Sequence, residues 1–308
     1  TTWNDATLGN VTDAEGIDGI TTSTGQISDI DTDNDGSVDL TIEWNVAADM
    51  SDTDNGTVYL RVTPNDGTTD GASASTNAFT VDTQAPVIID NGIITIFIED
   101  TAASTTVGAI RDELRLSDVT VSASTTDVSY VVIDFDIIGG DVGVAQGARH
   151  PIPAGATDES VTFTIRVVDT IGNVAVTTSD AVAIDNIAPT FDEIGNIDIS
   201  LDNGTEDIAG IDDEITLTGT TVTAPDSDRI EIDYTSIGGF SETQMGSSTP
   251  IVAGSTDATT TFVITAIDDA GNIATTTSAD VSIDNVAPTA ATGGALTISD
   301  YFGSNGIA

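Results

Sequence analysis

The chain repeats itself, and this limits its fold more than any other feature. Residues 154–189 (AGATDESVTFTIRVVDTIGNVAVTTSDAVAIDNIAP) align without a gap to residues 253–288 (AGSTDATTTFVITAIDDAGNIATTTSADVSIDNVAP), with 20 of 36 positions identical at an offset of 99 residues. A weaker copy, VYLRVTPNDGTTDGASASTNAFTVDTQAP, closes at Pro86. Self-similarity at a fixed period means that one structural unit is used again and again. The Ala-Pro marks at Pro86, Pro189 and Pro288 divide the chain into modules 1–86, 87–189 and 190–288, with residues 289–308 beyond them. Proline fixes its own φ and extends its predecessor, so each Ala-Pro reads as a stiff linker after a last strand.

Within a module the hydrophobic period is two. Val161, Phe163, Ile165 and Val167 fall on one face of an extended segment, with Thr162, Thr164 and Arg166 on the other. A turn signal, Asp169-Thr-Ile-Gly-Asn173, follows, and then NVAVTTSDAVAID, again Val- and Thr-rich. Helical periodicity is absent over any useful length; AIRDELRLSD, Ala109 to Asp118, is expected to give one or two helical turns. Short strands with turn clusters in modules of this size predict an all-β chain of tandem sandwiches.

The opening of each module supplies a second pattern. Glycine falls six residues after each Ala-Pro proline, at Gly92, Gly195 and Gly294, and alternating apolar residues follow: Ile94, Ile96 and Ile98; Ile197, Ile199 and Leu201; Leu296 and Ile298. Residues 289–308 thus copy an opening strand without the domain that belongs to it, while module 1–86 looks short by one strand. A sheet lacking an edge exposes unpaired N–H and C=O groups, which a strand donated by another chain would satisfy. Docking of Leu296 and Ile298 into the first module of the next copy would be a heterologous contact that builds a filament. The alternative is a longer tandem array in which this strand opens a fourth module.

Charge sets the partners. The chain carries 51 acidic residues against six arginines and no lysine, a formal charge of −45, and 41 of the acids are Asp. Such a polyanion cannot neutralise phosphates, which makes nucleic acid and anionic membrane surfaces poor partners, and no nucleic-acid binding is expected. Cations are the natural ligands, and self-repulsion must be met by bound cations, salt or an extended shape. There is no cysteine, so disulfides and Cys metal sites are excluded. Without lysine no isopeptide crosslink can take its amine from this chain, and assembly is expected to be non-covalent. No segment approaches the roughly 20 apolar residues of a membrane helix, so no direct membrane insertion is expected. A Val- and Ile-rich chain with 39% hydrophobic residues is expected to fold rather than remain disordered.

One loop has metal-ligand spacing. Asp31, Asp33, Asp35 and Asp39 occupy positions one, three, five and nine, with Gly36 at six for the sharp turn and the Ser37 carbonyl at seven. This oxygen cage suits Ca²⁺ better than Mg²⁺, which dehydrates reluctantly. It resembles the DxDxDGxxD loops of EF-hands, dockerins and FG-GAP repeats, but Ile42 stands at position twelve and DLTIEW reads as a strand, so a structural site between strands is expected. Linker positions Asp82, Asp185 with Asn186, and Asp284 with Asn285 are further candidates for calcium. Acidic loops containing Glu99, Asp100, Asp112 and Glu113, or Asp202, Glu206, Asp207, Asp212, Asp213 and Glu214, are placed to complete such sites. Asp169 and Asp268 read as Asx turns holding hairpins.

Catalysis finds little support. His150, the single histidine, is expected in a surface loop, and adjacent acids are unavoidable in a chain with 41 aspartates. No phosphate-cradling glycine loop or HExxH helix is present, and no enzymatic activity is expected. Asn10, Asn55 and Asn203 begin N-x-T sequons that would accept glycans on an exported chain in a glycosylating organism.

The repeats and their DNIAP and DNVAP closes resemble tandem bacterial or archaeal Ig-like modules of cell-surface proteins, and more loosely the calcium linkers of cadherins. The resemblance implies three Ig-like β-sandwich modules in a row plus an orphan C-terminal strand, an extracellular location, and a role in surface layers, filaments or adhesins. The expectation is a structural subunit of an extracellular filament or surface layer, rigidified by Ca²⁺ and joined head to tail to copies of itself. The alternative is a stalk segment of a long calcium-binding adhesin.

Overall fold

The computed structural model describes residues 3–13, 21–23, 25–30, 38–54, 56–98, 106–122, 127–201, 207–223 and 227–289. The molecule is almost wholly β, and it divides into two compact units, one running to Ile184 and one from Asp185 onward. The metal-loop residues Asp31, Asp33, Asp35 and Ser37, the loop acids Glu99, Asp100, Asp202 and Glu206, the sequon residues Asn55 and Asn203, and Leu296 and Ile298 lie outside the described residues.

The second repeat forms a two-layered β structure. One layer joins strands Ile93–Phe97, Glu113–Ser117 and His150–Pro151 in that order, all antiparallel. The other joins Val144–Ala145, Val128–Asp134, Thr164–Asp169 and Val174–Thr178. A third ladder runs Val107–Gly108 parallel to Val182–Asp185, with Asp158–Val161 on the far side. Period-two alternation drives this packing: Leu114 and Leu116 are fully buried while Glu113, Arg115 and Ser117 between them face outward. From the facing layer come Ile133, Phe135, Phe163 and Ile165, all essentially inaccessible to solvent. Phe135 and Phe163 meet edge to face, 5.0 Å apart at 71°, the arrangement favoured by the ring quadrupole.

The third repeat builds the same arrangement from its own strands. Asn196–Ser200, Glu214–Thr218 and Thr249–Pro250 form one layer, and Thr243–Gln244, Ser227–Asp233, Val263–Asp268 and Ile273–Thr277 the other. Ile208–Gly210 runs parallel to Val281–Asp284. Tyr234 and Phe262 replace the Phe135 and Phe163 pair, 5.0 Å apart at 74°, among Ile215, Leu217, Ile232, Ile264 and Ile283. The Tyr234 hydroxyl is buried near the Leu217 backbone, and burial pushes its pKa up to about 12.

The first repeat is slighter. Leu8–Asp13 pairs with Leu40–Trp44, Gly56–Val58 with Phe79–Val81, and Arg61–Val62 with Ala74–Ser75, each as an antiparallel pair. Among the described residues before Pro86, Val81 is the one buried hydrophobic.

Ala109–Asp118 is not helical. Arg111 has φ 79°, a left-handed conformation that stops a helix, and Glu113–Ser117 alternates into the core as a strand. His150 is not on a surface loop. It lies in a strand paired with Leu114, so its side chain takes an inward position; the ring stacks on Phe135 at 5.0 Å and 6° and is only 8% exposed. Its Nε2 accepts the Asp141 N–H at 3.2 Å.

Candidate metal centre

Three carboxylates converge in the unit that ends at Ile184. Asp82 follows strand Phe79–Val81 and stands four residues before Pro86. Asp127 immediately precedes strand Val128–Asp134, and Asp169 ends strand Thr164–Asp169. The antiparallel register sets Val128 opposite Asp169, which brings Asp127 and Asp169 to the same end of the sheet. One carboxylate oxygen from each of Asp82, Asp127 and Asp169 lies within 4.8 Å of the other two. An all-oxygen, triply anionic donor set of this size fits a hard divalent cation such as Ca²⁺, with water completing the shell.

The turn after Asp169 orients the site. Asp169 Oδ1 accepts the N–H groups of Ile171, Gly172 and Asn173 at 2.6–2.9 Å, while its Oδ2 accepts the Asn173 side-chain amide at 2.8 Å. That amide also reaches the Asp82 carbonyl and Oδ1, each at 3.4 Å. Asn173 therefore ties the hairpin to the segment that closes the preceding repeat.

The two best-placed acids titrate in opposite directions. Burial pushes the Asp169 carboxyl up, but the Asn173 side-chain amide and the N–H groups of Asn173, Gly172 and Ile171 together hold it below its ordinary value. Asp82 is raised, chiefly by burial; the Gln84 N–H opposes this, and the charges of Asp169, Asp127 and Asp54 add to it. A raised carboxylate among like charges is relieved either by a proton or by a cation.

The unit beginning at Asp185 repeats the frame. Asp268 Oδ1 accepts Ala270 and Asn272 N–H groups at 3.1 and 2.8 Å, and its Oδ2 accepts the Asn272 amide at 3.0 Å. The Asn272 amide also donates to the Asp185 carbonyl at 3.0 Å. Repeat alignment puts Asp226 at the position of Asp127, but Asp226 lies outside the described residues.

Asp39 is exposed just before Leu40–Trp44. Asp185 and Asn186 are buried at the end of Val182–Asp185. Asp284 accepts the Val286 N–H at 3.2 Å, and Asn285, fully buried, accepts the Thr256 N–H at 2.8 Å and so fastens a loop. Asp112 and Asp213 point inward, accepting the Ala109 and Gly210 N–H groups at 3.0 and 2.7 Å. Asn10 is exposed in Leu8–Asp13. Sequence reasoning singled out Asp82 and saw the Asx turn of Asp169, but missed Asp127. The recurrence of an aspartate before the long strand of each repeat, Asp127 and Asp226, was the available signal.

No family model and no curated protein matches the sequence. Among solved structures, the chain aligns with the crystal structure of the human Desmocollin-1 ectodomain at 14% identity and a TM-score of 0.24, covering 90% of this chain and 52% of that one. It also aligns with the Bacteroides ovatus mixed-linkage glucan utilization locus SGBP-B in complex with a mixed-linkage heptasaccharide, at 15% identity and a TM-score of 0.16, covering 84% and 58%. The chain therefore spans little more than half of either structure. No helix among the described residues is long and apolar enough to cross a membrane.

Proposed function

We propose that this chain is a structural element of an extracellular filament or surface layer, whose successive Ig-like modules are stiffened by Ca²⁺ held where one repeat closes. The observation that carries the reading is the convergence of Asp82, Asp127 and Asp169, with Asn173 bridging from the hairpin to the Asp82 segment. A divalent cation there would cancel repulsion among three carboxylates and convert a loose junction into a fixed one. The −45 charge supports the same reading, because a polyanion of repeated small cores gains more from bound cations than a neutral chain does.

Head-to-tail joining is a separate part of the proposal. It rests on the opening-strand pattern of residues 289–308, with Leu296 and Ile298 in the apolar positions, and on the slight core of the first repeat. Electron microscopy of the 308-residue chain, with and without residues 289–308, in calcium and in chelator, tests both parts. Fibres that need the tail and disappear in chelator are expected. A chain that stays monomeric in calcium overturns the joining and favours a stalk segment of a longer surface protein. Catalysis has no part in this reading, and glycans at Asn10, Asn55 or Asn203 would be decoration.

A further inference from the structure

Three of the six basic residues in this polyanion share one sheet face. On the outer side of the Ile93–Phe97, Glu113–Ser117, His150–Pro151 layer, Arg115 stands 4.9 Å and Arg149 3.7 Å over the Phe97 ring. Arg149 also pairs with Glu113 at 3.0 Å. Arg111 joins Phe97, Ile98, Glu113, Arg149 and Pro151 around a shallow cleft of about 570 Å³. Among the described residues the face thus presents three positive charges around an aromatic platform, with Glu113 between them and Asp118 beside Arg115. A guanidinium stacked on a ring leaves its N–H edge free for bidentate contact with carboxylates.

The fold does not require these arginines, because the third repeat builds the same face without them. Strand register matches Thr95, Phe97, Arg111, Arg115 and Arg149 to Asp198, Ser200, Asp212, Thr216 and Ser248. Arg111 and Asp212 even share a left-handed backbone, φ 79° and 72°, and each donates its N–H to the equivalent carbonyl, Ile152 or Ile251. The third-repeat face carries the exposed acids Asp198, Asp212 and Glu214.

We propose that the basic face of the second repeat docks the acidic face of the third repeat on a second copy of this chain. The two surfaces share strand register and carry opposite charge, and in a chain of −45 a cluster of this sign is the one that a further copy complements. The contact joins the second repeat of one copy to the third repeat of another, and self-association reads it whether it closes a pair or runs from copy to copy. It uses no residue of 289–308, and the substitutions below leave head-to-tail joining untouched, so the two readings fail separately.

Sedimentation of the full chain in chelator, where head-to-tail fibres are not expected, and at about 0.15 M salt tests the contact with two charge-exchanged variants. The first, Arg111→Asp/Arg115→Thr/Arg149→Ser, takes residues that the third repeat already accommodates; the second, Asp212→Arg/Thr216→Arg, takes those of the second repeat. Each variant alone is expected to self-associate at least about tenfold more weakly than the natural chain, and an equimolar mixture of the two to recover association. Fluorescently labelled second variant is also expected to sediment with natural chain through its unchanged basic face, which keeps the test decisive should the first variant not fold. The proposal is overturned if natural chain and variants sediment alike up to about 1 mM, the range of weak specific contacts, or if the mixture recovers nothing. It is also overturned if the natural chain stays monomeric while polygalacturonate binds it and not the first variant, since the occupant is then an acidic polysaccharide.

Discussion

At the scale of single residues, Asp82 and Asp169, two members of one cluster, are biased in opposite directions toward protons. Asp82 is held protonated to higher pH than an ordinary carboxylate, by burial first and by its acidic neighbours. Between the ordinary value near 3.9 and its raised value the folded state binds more protons than the unfolded state, so its contribution to stability falls as pH rises through that window. Asp169 has a lowered value; its contribution is present above the ordinary carboxylate range and is lost as pH falls through the folded value. In chelator, thermal unfolding should therefore show greatest stability in the mildly acidic range, and calcium should move the optimum toward neutrality because it binds only the ionised set. An optimum that ignores calcium would contradict this. Asp82→Asn sharpens the test: in chelator it removes a repelled charge and should leave the melting temperature unchanged or higher, whereas in calcium it should lower it relative to the natural chain. The Tyr234 hydroxyl is a bland case by comparison. The second repeat uses Phe135 at its position, so Tyr234→Phe should change unfolding free energy by less than about 1 kcal/mol in a denaturant titration.

At the scale of elements, two tight turns show how firmly the repeat is written. Gly92 and Gly195, each six residues after an Ala-Pro proline, have φ 75° and 76°, and a Cβ on either would collide with the carbonyl oxygen of Ser117 or Thr218. Gly92→Ala and Gly195→Ala should each cost about 1–3 kcal/mol in denaturant unfolding, whereas Gly172→Ala, where a Cβ meets open space, pays for its left-handed φ alone. These positions, the inward faces of Val161–Val167 and the Asx turns were legible in the sequence because each rests on local spacing. The strand Glu113–Ser117 was not, since Arg111-Asp-Glu-Leu-Arg reads as helix by propensity until a long-range partner, Ile93–Phe97, claims its edge. His150 misled for a similar reason: turn residues flank it, but pairing with Leu114 turns the ring inward onto Phe135. Asp127 could not be joined to Asp82 and Asp169 from spacing, because 45 and 42 residues of chain separate it from them and only the fold brings them together.

At the scale of the whole molecule, a charge of −45 on 308 residues makes cations part of the structure's energetics. Chelation at low ionic strength should lower the melting temperature, and monovalent salt should restore the part due to general repulsion, since screening acts within about 10 Å at 0.1 M. It should not restore the part due to ions held by carboxylates at particular positions. The most direct measurement is a calorimetric calcium titration of the natural chain and of Asp127→Asn, a change that removes one ligand while leaving the Asp169 turn intact. The account predicts that the variant loses one class of calcium site, with its remaining heat and its fold unchanged. Identical titrations for the two proteins would contradict it, and the cluster would then be an acidic turn without a metal.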